Sequence, residues 1–282
     1  MGFVSNAIQC IGPHGFHRMA YTDWGAPAAE RVLFCVHGLT RNGRDFDYLA
    51  AALEDRYRTL CPDVAGRGKS ARLTHSEDYN NRQYVSDVMA LFARSGAESI
   101  DWLGTSMGGM MGMITASMPG SPIRRLILND IGPWLPKAAL QRIADYVGSV
   151  QEFDDKAGVE GYLRTVHEPF GPLTDDQWRH LAEHSSHPRD GGGYELACDP
   201  KIGDAFQAMA IDDVDLWALW DRIECPVLVL RGVNSDLLSA DVAKEMASRG
   251  PKAEVVEIQG CGHAPALMDG GQIATVRDWL LG

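Results

Sequence analysis

The chain has 282 residues, 45% of them hydrophobic, enough for one large core in a single α/β domain carrying an insertion. Its formal net charge of -12 argues against a nucleic-acid partner, because a phosphate backbone is held by clustered Lys and Arg that release counterions. No run reaches the length of a membrane span, and the opening MGFVSNAIQC lacks the basic flank and apolar core of a signal peptide and has Asn6 where myristoylation wants Ser or Thr.

In chain order, apolar β-branched runs of strand length fall at 31–38 (RVLFCVHG), 57–64 (YRTLCPDV), 99–105 (SIDWLGT), 123–130 (IRRLILND), 225–232 (CPVLVLRG) and 253–260 (AEVVEIQG). Most end in Gly or Asp, at natural turns. Between and after them the apolar residues recur at three- and four-residue steps over 45–53, 84–93, 107–117, 239–248 and 272–281, which predicts helices. This alternation implies a mostly parallel sheet with helices on both faces. From Pro133 to Ala210 the rhythm breaks: there is no convincing strand, but helices are predicted over 137–147, 154–166 and 174–184, with many turn residues and the run Gly191 to Gly193. A structureless loop of that length is improbable in a compact domain, so the expected organisation is a core of 1–132 and 211–282 with a helical cap of 133–210 over the strand ends. No internal repeat or low-complexity tract is present.

The cysteines Cys10, Cys35, Cys61, Cys198, Cys225 and Cys261 are scattered singly, with no CxxC pair. They read as buried free thiols, which suits a reducing cytoplasm better than a disulfide scaffold.

The sharpest chemical signal is Gly104-Thr105-Ser106-Met107-Gly108, lying between a predicted strand and a predicted helix. The chain must reverse so tightly there that side chains two residues before and after the serine would collide. The turn places Ser106 at a helix N-terminus, where free N–H groups and the helix dipole favour a developing negative charge. A serine hydroxyl is a poor nucleophile at neutral pH, so this reading requires a histidine base and a carboxylate to fix the histidine tautomer. Asp236 in RGVNSDLLS and His263 in GCGHAPALMD each follow a predicted parallel strand, at the edge where Ser106 emerges and where ligands bind in open α/β sheets. Asp130, which ends the strand before the cap, is the alternative acid.

Taken together, HGLT, DVAGRGKS, GTSMGG, LILNDIGP, LRGVNSD and GCGHAP resemble the α/β-hydrolase-fold superfamily over nearly the whole chain. The resemblance implies Ser106 as nucleophile, Asp236 as acid and His263 as general base; in some members the Asp130 position supplies the carboxylate. It also implies an oxyanion hole formed by the backbone N–H groups of Leu39 and Met107. His37 is expected to shape the oxyanion loop. The expected substrate contacts are His37, Arg41, Trp134, Tyr162 and Trp178, with Leu135, Phe170 and Tyr194 as further cap candidates for a roofed apolar pocket.

Two other motifs point elsewhere and are set aside. GRGKS, Gly66 to Ser70, resembles the end of a phosphate-binding loop, but Asp63 stands where the pattern needs Gly, so a tight turn is expected. His180, His184 and His187 have helical spacing, but no carboxylate or cysteine completes an obvious site, and no metal is expected.

The chemistry implied is acyl transfer to Ser106 from a small to medium carboxylic ester, then hydrolysis, with neither cofactor nor metal. Enol-lactonase, thioesterase and carbon-carbon hydrolase chemistry use the same constellation, and a binding protein on a hydrolase scaffold is the reading of another class. The serine excludes the haloalkane dehalogenase and epoxide hydrolase readings, whose nucleophile is an aspartate. The expected setting is cytoplasmic, with a small-molecule substrate and no nucleic-acid or membrane partner; oligomeric state is left open.

Overall fold

Six parallel strands, all but the edge strand β13 largely buried on both faces, form the centre of the molecule: β3 (Val32–Val36), β4 (Arg58–Pro62), β5 (Ile100–Thr105), β6 (Ile123–Asn129), β12 (Val227–Gly232) and β13 (Glu254–Ile258). The computed structural model describes residues 2–208 and 211–282. All six strands lie within the predicted runs. Two strands were not predicted: β1 (Val4–Gly12) and β2 (Gly15–Trp24) form an antiparallel hairpin that adds to β4, giving the order β1-β2-β4-β3-β5-β6-β12-β13.

Alternate residues of the central strands feed two cores, as the period of two in a strand requires. Phe34, Val36, Trp102, Leu126 and Val229 face one side, with α2 (Asn81–Ser95) and α3 (Met107–Ala116). Leu33, Cys35, Leu103, Ile127 and Leu230 face the other, with α1 (Asp47–Leu53) and α10 (Gly270–Leu281). The helix ends carry ordinary capping chemistry. Asn80 accepts from the Gln83 amide to start α2, which stops at Gly96 with φ 75°, and Asp269 accepts from the Gly271 and Gln272 amides to start α10.

The segment between β6 and β12 holds the three predicted helices, α4 (Lys137–Tyr146), α5 (Lys156–Val166) and α6 (Asp175–His184), and also α7 (Lys201–Gln207) and α8 (Trp217–Trp220). It is not purely helical. Short strands β8 (Glu152–Phe153), β9 (Ser186–Pro188) and β10 (Tyr194–Leu196) make a small sheet, and β7 (Trp134–Leu135) pairs with β11 (Val214–Asp215). The expected boundary at residue 210 falls outside the described residues. α5 and α6 pack through Val159, Leu163, Trp178 and Leu181 into a cluster of their own, whereas Leu135, Ala139 and Ile143 join the main core. α9 (Ala240–Met246) follows β12. Of the cysteines, Cys10, Cys35, Cys61 and Cys261 are buried and Cys198 and Cys225 half-buried, all as free thiols. Among the described residues no helix is long and apolar enough to cross a membrane.

The tightest backbone contact lies where α3 meets the sheet. A Cβ on Gly104 would stand 2.2 Å from the Gly108 backbone, and one on Gly108 would stand 2.0 Å from the Val36 carbonyl. Neither neighbour is a flexible side chain that could swing away. Gly104→Ala is therefore expected to cost about 2–4 kcal/mol of stability, read as a lowered urea midpoint; an unchanged midpoint would show that the contact tolerates a methyl group.

Candidate active site

The reversal from β5 into α3 gives Ser106 φ 50° and ψ -113°, a strained conformation for a residue with a Cβ. Its N–H donates to the Asn129 carbonyl at 3.0 Å and its carbonyl accepts from Met110 at 2.9 Å, so the backbone is held from both sides. The hydroxyl makes no capping bond to α3. Instead Ser106 Oγ lies 3.0 Å from His263 Nε2, and His263 Nδ1 lies 2.8 Å from Asp130 Oδ2.

Asp130 follows β6 at φ 55° and is fully buried. Its Oδ1 accepts from the Gly232 N–H at 2.8 Å, and Oδ2 accepts from Ser235 Oγ at 2.5 Å as well as from His263. An ionised carboxylate only accepts, so Nδ1 is the protonated ring nitrogen and Nε2 faces Ser106 with a lone pair. The carboxylate that meets His263 is therefore that of Asp130, the alternative, and not that of the expected Asp236. Asp236 lies on the loop after β12 with its side chain 48% exposed, forming a two-pronged ion pair with Arg142 of α4 at 2.6 and 3.0 Å. The loop turns Ser235 toward Asp130 and leaves Asp236 facing α4, away from His263.

The two amides expected to form an oxyanion hole border the same cavity as Ser106. Met107 opens α3, so its N–H has no acceptor within the helix. The loop carrying Leu39 closes over Ser106, with a Cβ built on Gly38 falling 3.8 Å from the Ser106 Cβ. His37 anchors this loop from below. It is fully buried, donates from Nδ1 to the Gly38 carbonyl at 2.7 Å and accepts the Val64 N–H on Nε2 at 2.9 Å. Burial, reinforced by the cations of Arg67 and Arg41, pushes its pKa down to about 3, so the ring is neutral.

The cavity over Ser106 measures about 220 Å³ and is mainly apolar, with Met110, Ile131, Leu140, Ile143, Phe206 and Leu237 in its walls. Among the described residues no charged side chain lines it. Of the expected cap contacts, only Leu135 borders this space. Trp178 is buried in the α5–α6 cluster, and Trp134 sits in the β7–β11 pair. Arg41 and Tyr162 border a separate, smaller cavity. Arg41 is buried and forms two hydrogen bonds to Asp45 at 2.7 and 2.9 Å, so its charge is already matched. The lining residues missed include Tyr79 just before α2, Tyr84 on α2, Phe206 of α7, Leu237 after β12, and Leu140 and Ile143 of α4, whose three-residue spacing was visible only as a helix signal.

The motifs set aside have local explanations. The Asp63 carboxylate accepts the Gly43 and Lys69 amides at 2.8 and 2.7 Å, so it fills its own turn. His180 and His184 lie on α6 and His187 on β9. A carboxylate does approach them, since Asp47 Oδ2 is 3.6 Å from His180 Nε2, but Asp47 is already paired with the Arg44 guanidinium, which also reaches His184. The donors thus face a cation of the chain itself.

A parallel sheet that presents a strained serine at a strand-helix turn, with a histidine and a carboxylate from two other strand ends, has the architecture of an α/β hydrolase. Residues 31–268 match the family model described as alpha/beta hydrolase fold, and the chain belongs to that family. A 3-hydroxybutyrate-oligomer hydrolase from Cupriavidus necator is 46% identical over 290 aligned residues, spanning 100% of this chain and 98% of its own length. Among solved structures, a putative hydrolase from Rickettsia typhi superposes with a TM-score of 0.93 at 33% identity, covering 99% of each chain. An alpha/beta hydrolase from Novosphingobium aromaticivorans gives 0.87 at 35% identity, over 100% of this chain and 99% of its own.

The depressed pKa of His37 has a defined consequence for stability. Between an unfolded value of 6.5 and a folded value of about 3, the unfolded chain binds a proton that the folded one does not. Stability present above pH 6.5 is therefore lost as pH falls through that window, and half-buried His184, also lowered to about 3 by burial and by Arg44, acts in the same direction. Urea midpoints are expected to fall from pH 7.5 to pH 5. The His37→Asn variant should be less stable at pH 7.5 yet decline less steeply; an equal slope would mean that His37 does not carry the effect.

Proposed function

We propose that the chain is a serine esterase that cleaves short esters of 3-hydroxy acids, 3-hydroxybutyrate oligomers being the best candidates, through an acyl-enzyme. The observation that carries the reading is the continuous hydrogen-bonded line Asp130–His263–Ser106 opening into an uncharged cavity. The named relative supports the substrate class.

In this mechanism His263 takes the Ser106 proton as Oγ attacks the ester carbonyl. The N–H groups of Leu39 and Met107 receive the oxyanion, and Asp130 stabilises the imidazolium and holds its tautomer. Collapse of the adduct expels the alcohol with the proton from His263. Water, deprotonated by the same ring, then attacks the acyl-enzyme and frees the acid and Ser106. The segment of α4 and α7 acts as a cap that roofs the acyl group.

The cavity suits this substrate by size and charge. About 220 Å³ lies below the roughly 300 Å³ at which drug-sized pockets begin, and so fits a small acyl unit. A 3-hydroxybutyrate oligomer is neutral on the acyl side of its ester bonds and carries its carboxylate at the alcohol-side end. An uncharged pocket accepts the first and would penalise burial of the second.

With a 3-hydroxybutyrate dimer as substrate, Ser106→Ala is expected to lower kcat by about 10³-fold or more, and Asp130→Asn by about 10³–10⁴-fold. Asp236→Asn, which breaks only an exposed ion pair, should stay within about threefold of wild type. Full activity of Asp130→Asn combined with loss in Asp236→Asn would refute the acid assignment. Turnover surviving in Ser106→Ala would refute the acyl-enzyme.

A further inference from the structure

The motif GRGKS contains the most deeply buried arginine of the described residues, Arg67, only 1% exposed. Its partners are unusual for a buried cation. Nε donates to the Leu39 carbonyl at 2.8 Å, Nη1 to the Ala65 carbonyl at 2.7 Å, and Nη2 reaches Met107 Sδ at 3.6 Å. The guanidinium lies over the Tyr84 ring at 4.7 Å and 5.9 Å from the Tyr79 ring centre. Every other buried arginine has a carboxylate: Arg41 has Asp45 and Arg231 has Glu257. Among the described residues no carboxylate oxygen pairs with Arg67.

A cation removed from water without a counterion is costly, and carbonyl dipoles with two aromatic faces offset only part of that cost. The two groups it grips besides its own turn, a backbone carbonyl and a thioether, belong to Leu39 and Met107, the residues whose amides form the proposed oxyanion hole. Holding the Leu39 carbonyl tethers the peptide unit next to the Leu39 N–H and so restrains the loop that presents it, while contact with the thioether restrains the Met107 side chain from the other side. The unneutralised charge leaves positive potential beside the point where negative charge develops, in a low-dielectric setting where it acts strongly.

We infer that Arg67 is a positioning residue of the oxyanion hole, clamping Leu39 and Met107 and biasing the site toward the anionic adduct. This rests on the esterase reading above. Its signature is a loss in transition-state binding without a matching loss in ground-state binding.

The test compares wild type, Arg67→Lys and Arg67→Met in hydrolysis of a 3-hydroxybutyrate dimer and in inhibition by a trifluoromethyl ketone, which adds to a nucleophilic serine as an oxyanion. Arg67→Met is expected to lower kcat by about 10- to 100-fold, less than the removal of a direct oxyanion donor, with KM within about threefold and ketone affinity falling in parallel with kcat. Arg67→Lys, which keeps the charge but cannot reach both Leu39 and Met107 as a planar fork does, should fall between the two. It also serves as the test if Arg67→Met does not fold. Wild-type kcat and ketone affinity in both folded variants, or a loss confined to KM, overturns this inference alone. A wild-type chain that neither hydrolyses the dimer nor binds the ketone overturns the esterase reading and this inference with it.

Discussion

The closeness of the first turn of α3 to strands β3 and β5 governs the whole carboxyl edge of the sheet. Gly104 and Gly108 let backbone meet backbone at distances no side chain would allow. At that separation the connecting residues have no room for a relaxed turn, and Ser106 is left with positive φ. The strain has a geometric return. The serine side chain is lifted away from the helix amides it would otherwise cap, and the first amide of α3 is left without an internal acceptor beside it. Indole Nε1 of Trp102, buried under α3, donates to the Gly108 carbonyl at 3.0 Å and locks the approach from the core side.

The same economy appears at Asp130. It too has positive φ, and its carboxylate is engaged by a backbone amide, a hydroxyl and an imidazole at once. Charge-assisted hydrogen bonds of this kind are directional, so the carboxylate, and with it His263, has little freedom to turn. The two strained residues of the site are therefore the two ends of its hydrogen-bonded line. Each is held by the strand end next to it: Ser106 by Asn129 at the end of β6, and Asp130 by Gly232 at the end of β12. Registry between neighbouring parallel strands thereby becomes registry between chemical groups.

Much of this was legible in the sequence because buried parallel strands read as continuous apolar runs and the elbow needs glycines at fixed offsets. The β1–β2 hairpin was not, since VSNAIQCIG is largely exposed at a sheet edge and contains no apolar run. Which aspartate meets His263 was not legible, for a physical reason. Asp130 and Asp236 both follow strands that are neighbours in the sheet, and what separates them is a loop conformation that aims Ser235 inward and Asp236 at Arg142. Periodicity carries no information about such a turn. The cavity lining was hidden in a similar way: cap aromatics were expected there, but Trp178, Tyr162, Phe170 and Tyr194 pack into the cluster around α5 and α6. The aliphatic face of α4 is left to meet the site.

Beneath the loop that bears Leu39, two basic residues are buried, one neutral and one charged. His37 links Gly38 to Val64 and is kept neutral by burial and by the cations nearby, so it contributes geometry without charge. Arg67 links Leu39 to Ala65 and cannot give up its proton, so it contributes geometry with charge. Both tie the loop after β3 to the loop after β4, each using one side chain to hold two backbone segments. A protonated His37 would lose its acceptor for the Val64 amide and place a second cation close to Arg67. The neutral ring thus holds the loop without adding a second cation beside the buried guanidinium.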